Sequence, residues 1–250
     1  GMDGSTPRKV YFSKGNLYYD GTTDNKWKFE ANQWDFRTYG GYASCINGAY
    51  NASGGTPSGD WGLFGWSTDA QNNNWGMHTQ MSATSGYTDG DFKDWGGITD
   101  LPDNAGGSTW RTLTGGSSGE WEYLFKGRTN AEDKYGYASV NNVHGIIILP
   151  DNWTTPTGCT WNGHVYNNYT SNKFTSGADT NDWDKMEAAG AVFFPFLSFG
   201  YYDGYWTSYG NSSPYRWMPN YSSSTSDYLY YTNTDNSSGK GYIRLVYEVK

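Results

Sequence analysis

W-R-T-L-T-G-G-S-S-G-E-W-E-Y-L-F-K-G-R, residues Trp110 to Arg128, is the clearest local signal in the chain. Ser117-x-x-Glu120 has the form of a capping box, in which the Ser oxygen accepts a backbone N–H and the Glu side chain reaches back. Trp121, Leu124 and Phe125 follow at i, i+3 and i+4, one apolar helical stripe. Gly127 suits the stop. The spacing predicts a helix from Ser118 to Lys126. A second helix is read over Asp179 to Ala189. Asp179 or Thr180 would cap it, Trp183, Met186 and Glu187 follow, and Gly190 ends it.

Outward from these helices the pattern turns to strands. Tyr135–Val140 and Val143–Leu149 read as a hairpin turned at Asn141-Asn142, because Asn tolerates positive φ. G-I-I-I-L-P (Gly145 to Pro150) is a buried strand ended by its proline. Ala191 to Phe196 is another core strand. Tyr242 to Val249 closes the chain, with Tyr228–Tyr231 as its expected neighbour. At the other end, V-Y-F-S-K-G-N-L-Y-Y-D (Val10 to Asp20) reads as two short strands about Gly15. Trp27 to Phe36 begins with period-2 alternation, which sets Trp27 and Phe29 on one face and Lys28 and Glu30 on the other. These two segments should form a hairpin. The fold class is therefore α+β, one domain over 1–250. Residues 1–9 read as a flexible N-terminus, and 39–107 as a long loop-rich insertion pinned by Trp61, Phe64, Trp66, Trp75 and Trp95. Asp60 to Trp66 (D-W-G-L-F-G-W) is its expected buried anchor.

Only 36% of residues are hydrophobic, a share low enough to suggest disorder. The 13 Trp and 23 Tyr decide otherwise, since each ring buries a large area. Charged residues are 17%, whereas disordered chains are charge-rich and ring-poor. The core should be built from rings. Net charge is −8, and no run of Lys or Arg exceeds two. This excludes the basic footprint of non-specific nucleic-acid binding and disfavours anionic membranes. No segment reaches the length of a membrane span, and no signal peptide is read. A neutral or cationic partner fits, a glycan or another protein. Cys45 and Cys159 allow either a disulfide or two free thiols, and metal-type C-x-x-C spacing is absent.

The chemistry-bearing motifs are sparse. There is no phosphate loop of the form G-x-x-x-x-G-K-[ST]. His78, His144 and His164 are isolated, without the short-spaced pairs of a zinc site. Glu120 with Glu122, or Asp182 with Asp184, could in principle serve glycoside hydrolysis, but each pair lies in a first helical turn, where acids favour the dipole. Asp89-Gly90-Asp91 and Asp100 to Asn104 offer loop oxygens of the kind calcium takes, without EF-hand spacing. No catalytic residue, metal or cofactor is expected. After Gly200 the texture changes. About two-thirds of positions 201 to 238 are Tyr, Ser, Asn or Asp. Tyr and Trp give rigid contact area, and Ser, Gly and Asn give adaptable hydrogen bonds, the mixture antibody loops use. Tyr201, Tyr202, Asp203, Tyr205, Trp206, Tyr209, Tyr215, Trp217 and Asn220 are the expected ligand-binding residues. A continuation of the aromatic core is the competing reading of the same rings.

Five segments occur together in order: V-Y-F-S-K-G-N-L-Y-Y…W-K-F-E-A-N-Q-W-D-F, W-R-T-L-T…E-W-E-Y-L-F, G-I-I-I-L-P-D-N-W, W-D-K-M-E-A-A-G-A-V-F-F-P and G-Y-I-R-L-V. Together they resemble the major-paralogue (FISUMP-like) domains of gut-bacterial surface proteins, over most of the chain except about Tyr39 to Gly107. Those domains are similar to the formylglycine-generating (sulfatase-modifying) group. The resemblance implies a C-type-lectin-like fold, with two helices on twisted antiparallel sheets and the first and last strands close together. It implies an extracellular or cell-surface location. The catalytic group uses a cysteine pair in its C-terminal half; no cysteine follows Cys159, so a non-catalytic role is expected. The E-P-N and Q-P-D motifs of calcium lectins are also absent. The composition after Gly200 is similar to the variable regions that retroelements diversify in some C-type-lectin-like proteins. The expected function is a non-catalytic ligand-binding domain of a bacterial surface or phage-type protein. A self-associating adhesion subunit and a carbohydrate-active enzyme are the alternatives.

Overall fold

The computed structural model describes residues 2–3, 6–7, 9–24, 26–37, 60–66, 75, 87–102, 109–165, 168–195, 204–212, 214–218, 230–233 and 241–248; for 2–7, 87–89, 210–218 and 230–233 it describes the backbone. The chain is α+β. Consecutive apolar residues explain its layering. Residues adjacent in a strand point to opposite faces, so an unbroken apolar run means a strand buried on both sides. β8 (Tyr135–Val140) and β9 (Val143–Ile148) form the expected hairpin. Asn141 and Asn142 sit at φ 49 and 65, the two left-handed positions of a tight hairpin turn. On β9, Ile146 and Ile148 enter one core cluster with Tyr135, Tyr137, Trp121 and Phe125. Ile147, between them, enters another with Phe174, Trp183 and Met186. β11 (Val192–Pro195) pairs antiparallel with β9 and splits likewise, Phe194 to the first cluster and Phe193 to the other. β10 (Lys173–Phe174) adds a parallel edge to β8.

Strands from near the two ends of the chain pair with each other. β15 (Leu245–Glu248) lies between β3 (Val10–Phe12) and β7 (Arg111–Thr112), antiparallel to both. Val246 enters the first cluster, and Leu245 enters one built from Leu17, Trp27, Trp61, Phe64, Trp66, Trp95 and Trp206. β4 (Leu17–Asp20) and β5 (Lys26–Phe29) make the N-terminal hairpin. At the N-terminus, β1 (Met2–Asp3) pairs with β2 (Thr6–Pro7). Asp60 to Trp66 is buried throughout, as its rings suggested. The described part of 39–107 is not all loop. It includes β6 (Tyr87–Thr88) and 3-10 turns at Asp89–Asp91 and Trp95–Gly97. Among the described residues no helix is long and apolar enough to cross a membrane.

Several sequence expectations need correction. Ser117 does not cap the first helix. α1 (Glu120–Glu122) has Gly119 at its N-cap with no side-chain bond, and runs on as a wide π turn, Tyr123–Gly127, closed by Arg128 N donating to Tyr123 O at 3.2 Å. Capping reciprocity is nevertheless present, six residues apart rather than three. Glu120 N donates to Thr114 Oγ1 at 3.0 Å, and Thr114 N donates to Glu120 Oε2 at 2.9 Å. The second helix, α2 (Trp183–Ala188), is capped by Asp182, not Asp179 or Thr180. Gly190, at φ +98, does follow its end. Period-2 alternation sets Glu30 on one face with Lys28, but the two differ in burial: Glu30 is buried and takes Arg37 Nε at 2.7 Å, and Arg37 also pairs with Asp60. β14 (Tyr230–Asn233) does not neighbour the terminal strand. It pairs with β13 (Pro214–Met218).

Candidate ligand-binding sheet

β12 (Tyr205–Ser212) is the strand from which the Tyr/Ser/Asn-rich region is built, and its first residues are core. Tyr205 is 4% exposed and Trp206 is 2% exposed, on opposite faces of one strand. Tyr205 joins the first cluster. Its hydroxyl donates to Pro195 O at 2.9 Å and accepts from Asn16 Nδ2 at 3.1 Å. Trp206 joins the Trp-rich cluster, and its Nε1 donates to Phe64 O at 2.7 Å. The Trp206 N–H donates to Tyr242 O at 3.0 Å. Thr207, fully buried, accepts Trp66 Nε1 on its carbonyl at 2.9 Å. Tyr205 and Trp206 were expected on the recognition surface. Both faces of the strand are covered at that point, so neither ring is offered to a ligand.

Beyond this root the surroundings change. Pairing between β12 and β13 shifts register between Trp206 and Gly210. Ser208 N donates to Leu113 O at 3.3 Å, and Tyr209 N donates to Thr207 Oγ1 at 3.1 Å. Ser208 and Tyr209 are half-buried. The Tyr209 ring lies over Gly116, where a side-chain carbon would stand 3.3 Å from it. From here β12 continues as the centre of a four-stranded sheet, ordered β14-β13-β12-β6. Its register sets Gly210 opposite Pro214, Tyr215 opposite Asn233, Arg216 opposite Thr232, and Asn211 opposite Thr88. Tyr215 and Trp217 are therefore on β13, opposite Asn233 and Tyr231. Tyr201, Tyr202, Asp203 and Asn220 lie outside the described residues. The candidate surface is Ser208 and Tyr209 with the β13 and β14 backbone beside them.

The catalytic candidates are placed differently. Glu120 is held by Arg111 through two 2.6 Å hydrogen bonds as well as by Thr114. Burial pushes the Glu120 carboxyl up, but Arg111 and the Thr114 N–H outweigh it and hold the carboxyl below its ordinary range. That is the reverse of what a general acid needs. Glu122 pairs with Lys126 one turn on, at 3.1 Å. Asp182 caps α2 and Asp184 accepts from Ser176 Oγ. A G-x-S-x-G nucleophile motif was not expected, yet residues 115–119, G-G-S-S-G, have its letters and follow β7. Ser117 is exposed, and among the described residues no base is hydrogen-bonded to it. His144 stacks on Tyr169 at 4.3 Å, and His164 packs beside Tyr135 at 4.8 Å. His78 lies outside the described residues. Among the described residues no group of three or more His, Cys, Asp or Glu is placed to hold a metal ion. Cys159 is a free thiol, donating to Asp182 O at 3.5 Å, and Cys45 lies outside the described residues.

Sequence reasoning passed over the arginines. Arg128, with its side chain 2% exposed, donates to the Leu124, Leu149 and Lys134 carbonyls at 2.7, 2.6 and 2.8 Å, which fixes the end of the π turn. Arg111 joins β7 to α1 through Glu120 and to β15 through Glu248 at 3.1 Å. Composition carries no sign of such roles, since each also needs a partner far along the chain, Leu149 O for Arg128 and Glu248 for Arg111. Comparison with models of known families, with curated proteins and with solved structures gave no match.

Proposed function

We propose that the chain is a non-catalytic ligand-binding domain of C-type-lectin-like architecture, similar to FISUMP-like surface domains. It recognises a glycan or a protein through the sheet of β6, β12, β13 and β14. One observation carries the reading: a strand locked into the core at Tyr205, Trp206 and Thr207 emerges half-exposed at Ser208 and Tyr209, at the head of a Tyr/Ser/Asn-rich sheet. A rigid root lowers the ordering cost of binding, and the residue mixture beyond it combines stacking surface with adaptable hydrogen bonds. The net charge of −8 favours a neutral or cationic ligand. Support for the lectin-like architecture comes from β15 pairing with β3 and from the two helices. Against a glycosidase role stands the engagement of Glu120 by Arg111. Retroelement diversification of the region after Gly200 belongs to the same proposal, and a template repeat beside the gene is its expected signature.

The test is a combined glycan and protein array probed with the purified chain. A discrete set of hits is expected, with no release of reducing ends from the glycans and no concentration-dependent assembly on size exclusion. Reducing-end release that Glu120→Gln abolishes would establish the enzyme instead. Assembly without any array hit would establish a self-associating subunit.

A further inference from the structure

Arg244 is 2% exposed, and it reaches three neutral acceptors: Asn16 Oδ1 at 3.2 Å, Gln33 Oε1 at 2.9 Å and the Phe193 carbonyl at 3.1 Å. The Phe194 ring lies 5.4 Å from its guanidinium carbon. A cation removed from water normally has a carboxylate beside it, because uncompensated burial is costly. Here the nearest acid in the network stands one residue further out. Gln33 Nε2 donates to Glu187 Oε1 at 2.8 Å, on the half-buried side of α2. The Gln33 amide can point only one way. Its oxygen accepts from Arg244 and from Phe193 N at 2.6 Å, and its NH2 faces the Glu187 carboxylate. Reversed, it would set N–H against N–H at one end and oxygen against oxygen at the other.

We propose that Glu187 is the counter-charge of Arg244, relayed through the Gln33 amide, and that this relay holds the root of β12. The last link is Asn16. Its Oδ1 accepts from Arg244, and its Nδ2 donates to the hydroxyl of Tyr205, which donates on to Pro195 O. One hydrogen-bonded line thus runs from α2 to the strand that carries the candidate sheet. Neighbouring dipoles in such a line strengthen one another where water is excluded. Burial lowers Arg244 to about 10, and Glu187 and the Tyr205 phenol act in the opposite direction. The relay itself does not depend on the binding reading.

Glu187→Gln separates charge from contact, because the new amide keeps an oxygen for Gln33 Nε2 and loses only the negative charge. Hydrogen exchange of the whole chain, followed by mass spectrometry, is the readout. The amides of Phe193 and Trp206 should exchange about tenfold faster or more in Glu187→Gln, given the weight of charged hydrogen bonds. Amides around the Asn141 turn should not change. In a Gln33→Met background the same substitution should add nothing. Unchanged exchange at Phe193 and Trp206 in Glu187→Gln would overturn the proposal, even if Gln33→Met fails to fold. So would an undiminished Glu187→Gln effect in the Gln33→Met chain, which would make it a local helix effect.

Discussion

Trp206→Ala separates a core ring from a recognition ring more sharply than any other substitution in this chain. Trp206 is 2% exposed, and its neighbours in the cluster include Phe64, Trp66 and Trp95, themselves fully buried. Truncating a buried Trp costs about 3–5 kcal/mol, transfer and cavity terms together. The lost Nε1 hydrogen bond adds less than it would elsewhere. The Phe64 carbonyl keeps a second donor, Gly241 N at 2.9 Å, so no buried acceptor is left bare. A loss of about 3–5 kcal/mol is a large share of the 5–15 kcal/mol by which domains are usually stable, roughly. For a domain of this size it corresponds to a Tm fall of about 6–20 °C. Urea unfolding followed by circular dichroism, with calorimetry alongside, measures both. Trp206→Phe keeps the cluster contact and loses the hydrogen bond, so it should cost about 1–2 kcal/mol. A Trp206→Ala chain that loses under about 1 kcal/mol, with Tm within about 2 °C of the parent, would show the ring is not core and would restore it to the candidate surface.

Three further outcomes are expected. Lys28 and the Thr23 N–H hold the Asp20 carboxyl at about 2, below its ordinary 3.8. A depressed folded value stabilises the fold above the ordinary one, and that contribution is lost as pH falls through the folded value. The urea midpoint should therefore fall from about pH 4 towards pH 2 and fall less steeply in Asp20→Asn; superimposable acid limbs would contradict it. Arg111→Met leaves the buried Glu120 carboxylate without its cation, and should cost about 3 kcal/mol by urea unfolding; a loss below about 1 kcal/mol would mean water replaces the guanidinium. Asn142→Val puts a β-branched residue at φ 65 and should cost about 1–2 kcal/mol, while Asn142→Gly should be near neutral. Equal stability of the two would show that the turn relaxes to another type.

What was legible in the sequence was what neighbours along the chain decide. The Asn141-Asn142 turn, the Ile146 to Ile148 run and the Gly190 stop are local, and the structure has all three. The first helix was half legible. The stripe of Trp121 and Phe125 is buried, but the cap comes from Thr114, and Glu120 is drawn into the Arg111 pair instead of a Ser117 box. The pairing of Tyr230–Asn233 with Pro214–Met218, rather than with the terminal strand, depends on registers that no local pattern encodes. The candidate site was legible as composition and not as geometry. Trp206 and Tyr209 are read from the same Tyr- and Ser-rich text, yet one fills the core and the other lies half-exposed over Gly116. Rings that can both pack and recognise carry no sequence mark that tells the two apart. Cys159 shows the same limit, since whether a thiol is free depends on distance to another sulfur and not on its neighbours along the chain.

The central claim is that recognition belongs to the sheet beyond Thr207 and not to its root. Affinity for an array hit should be measured by titration calorimetry for the parent and for Tyr209→Ala/Tyr215→Ala, with the melting temperature of each. The account predicts affinity at least tenfold weaker, the weight of about 1.4 kcal/mol at one or two contact residues, with Tm within about 3 °C. Unchanged affinity in a folded double variant would contradict it.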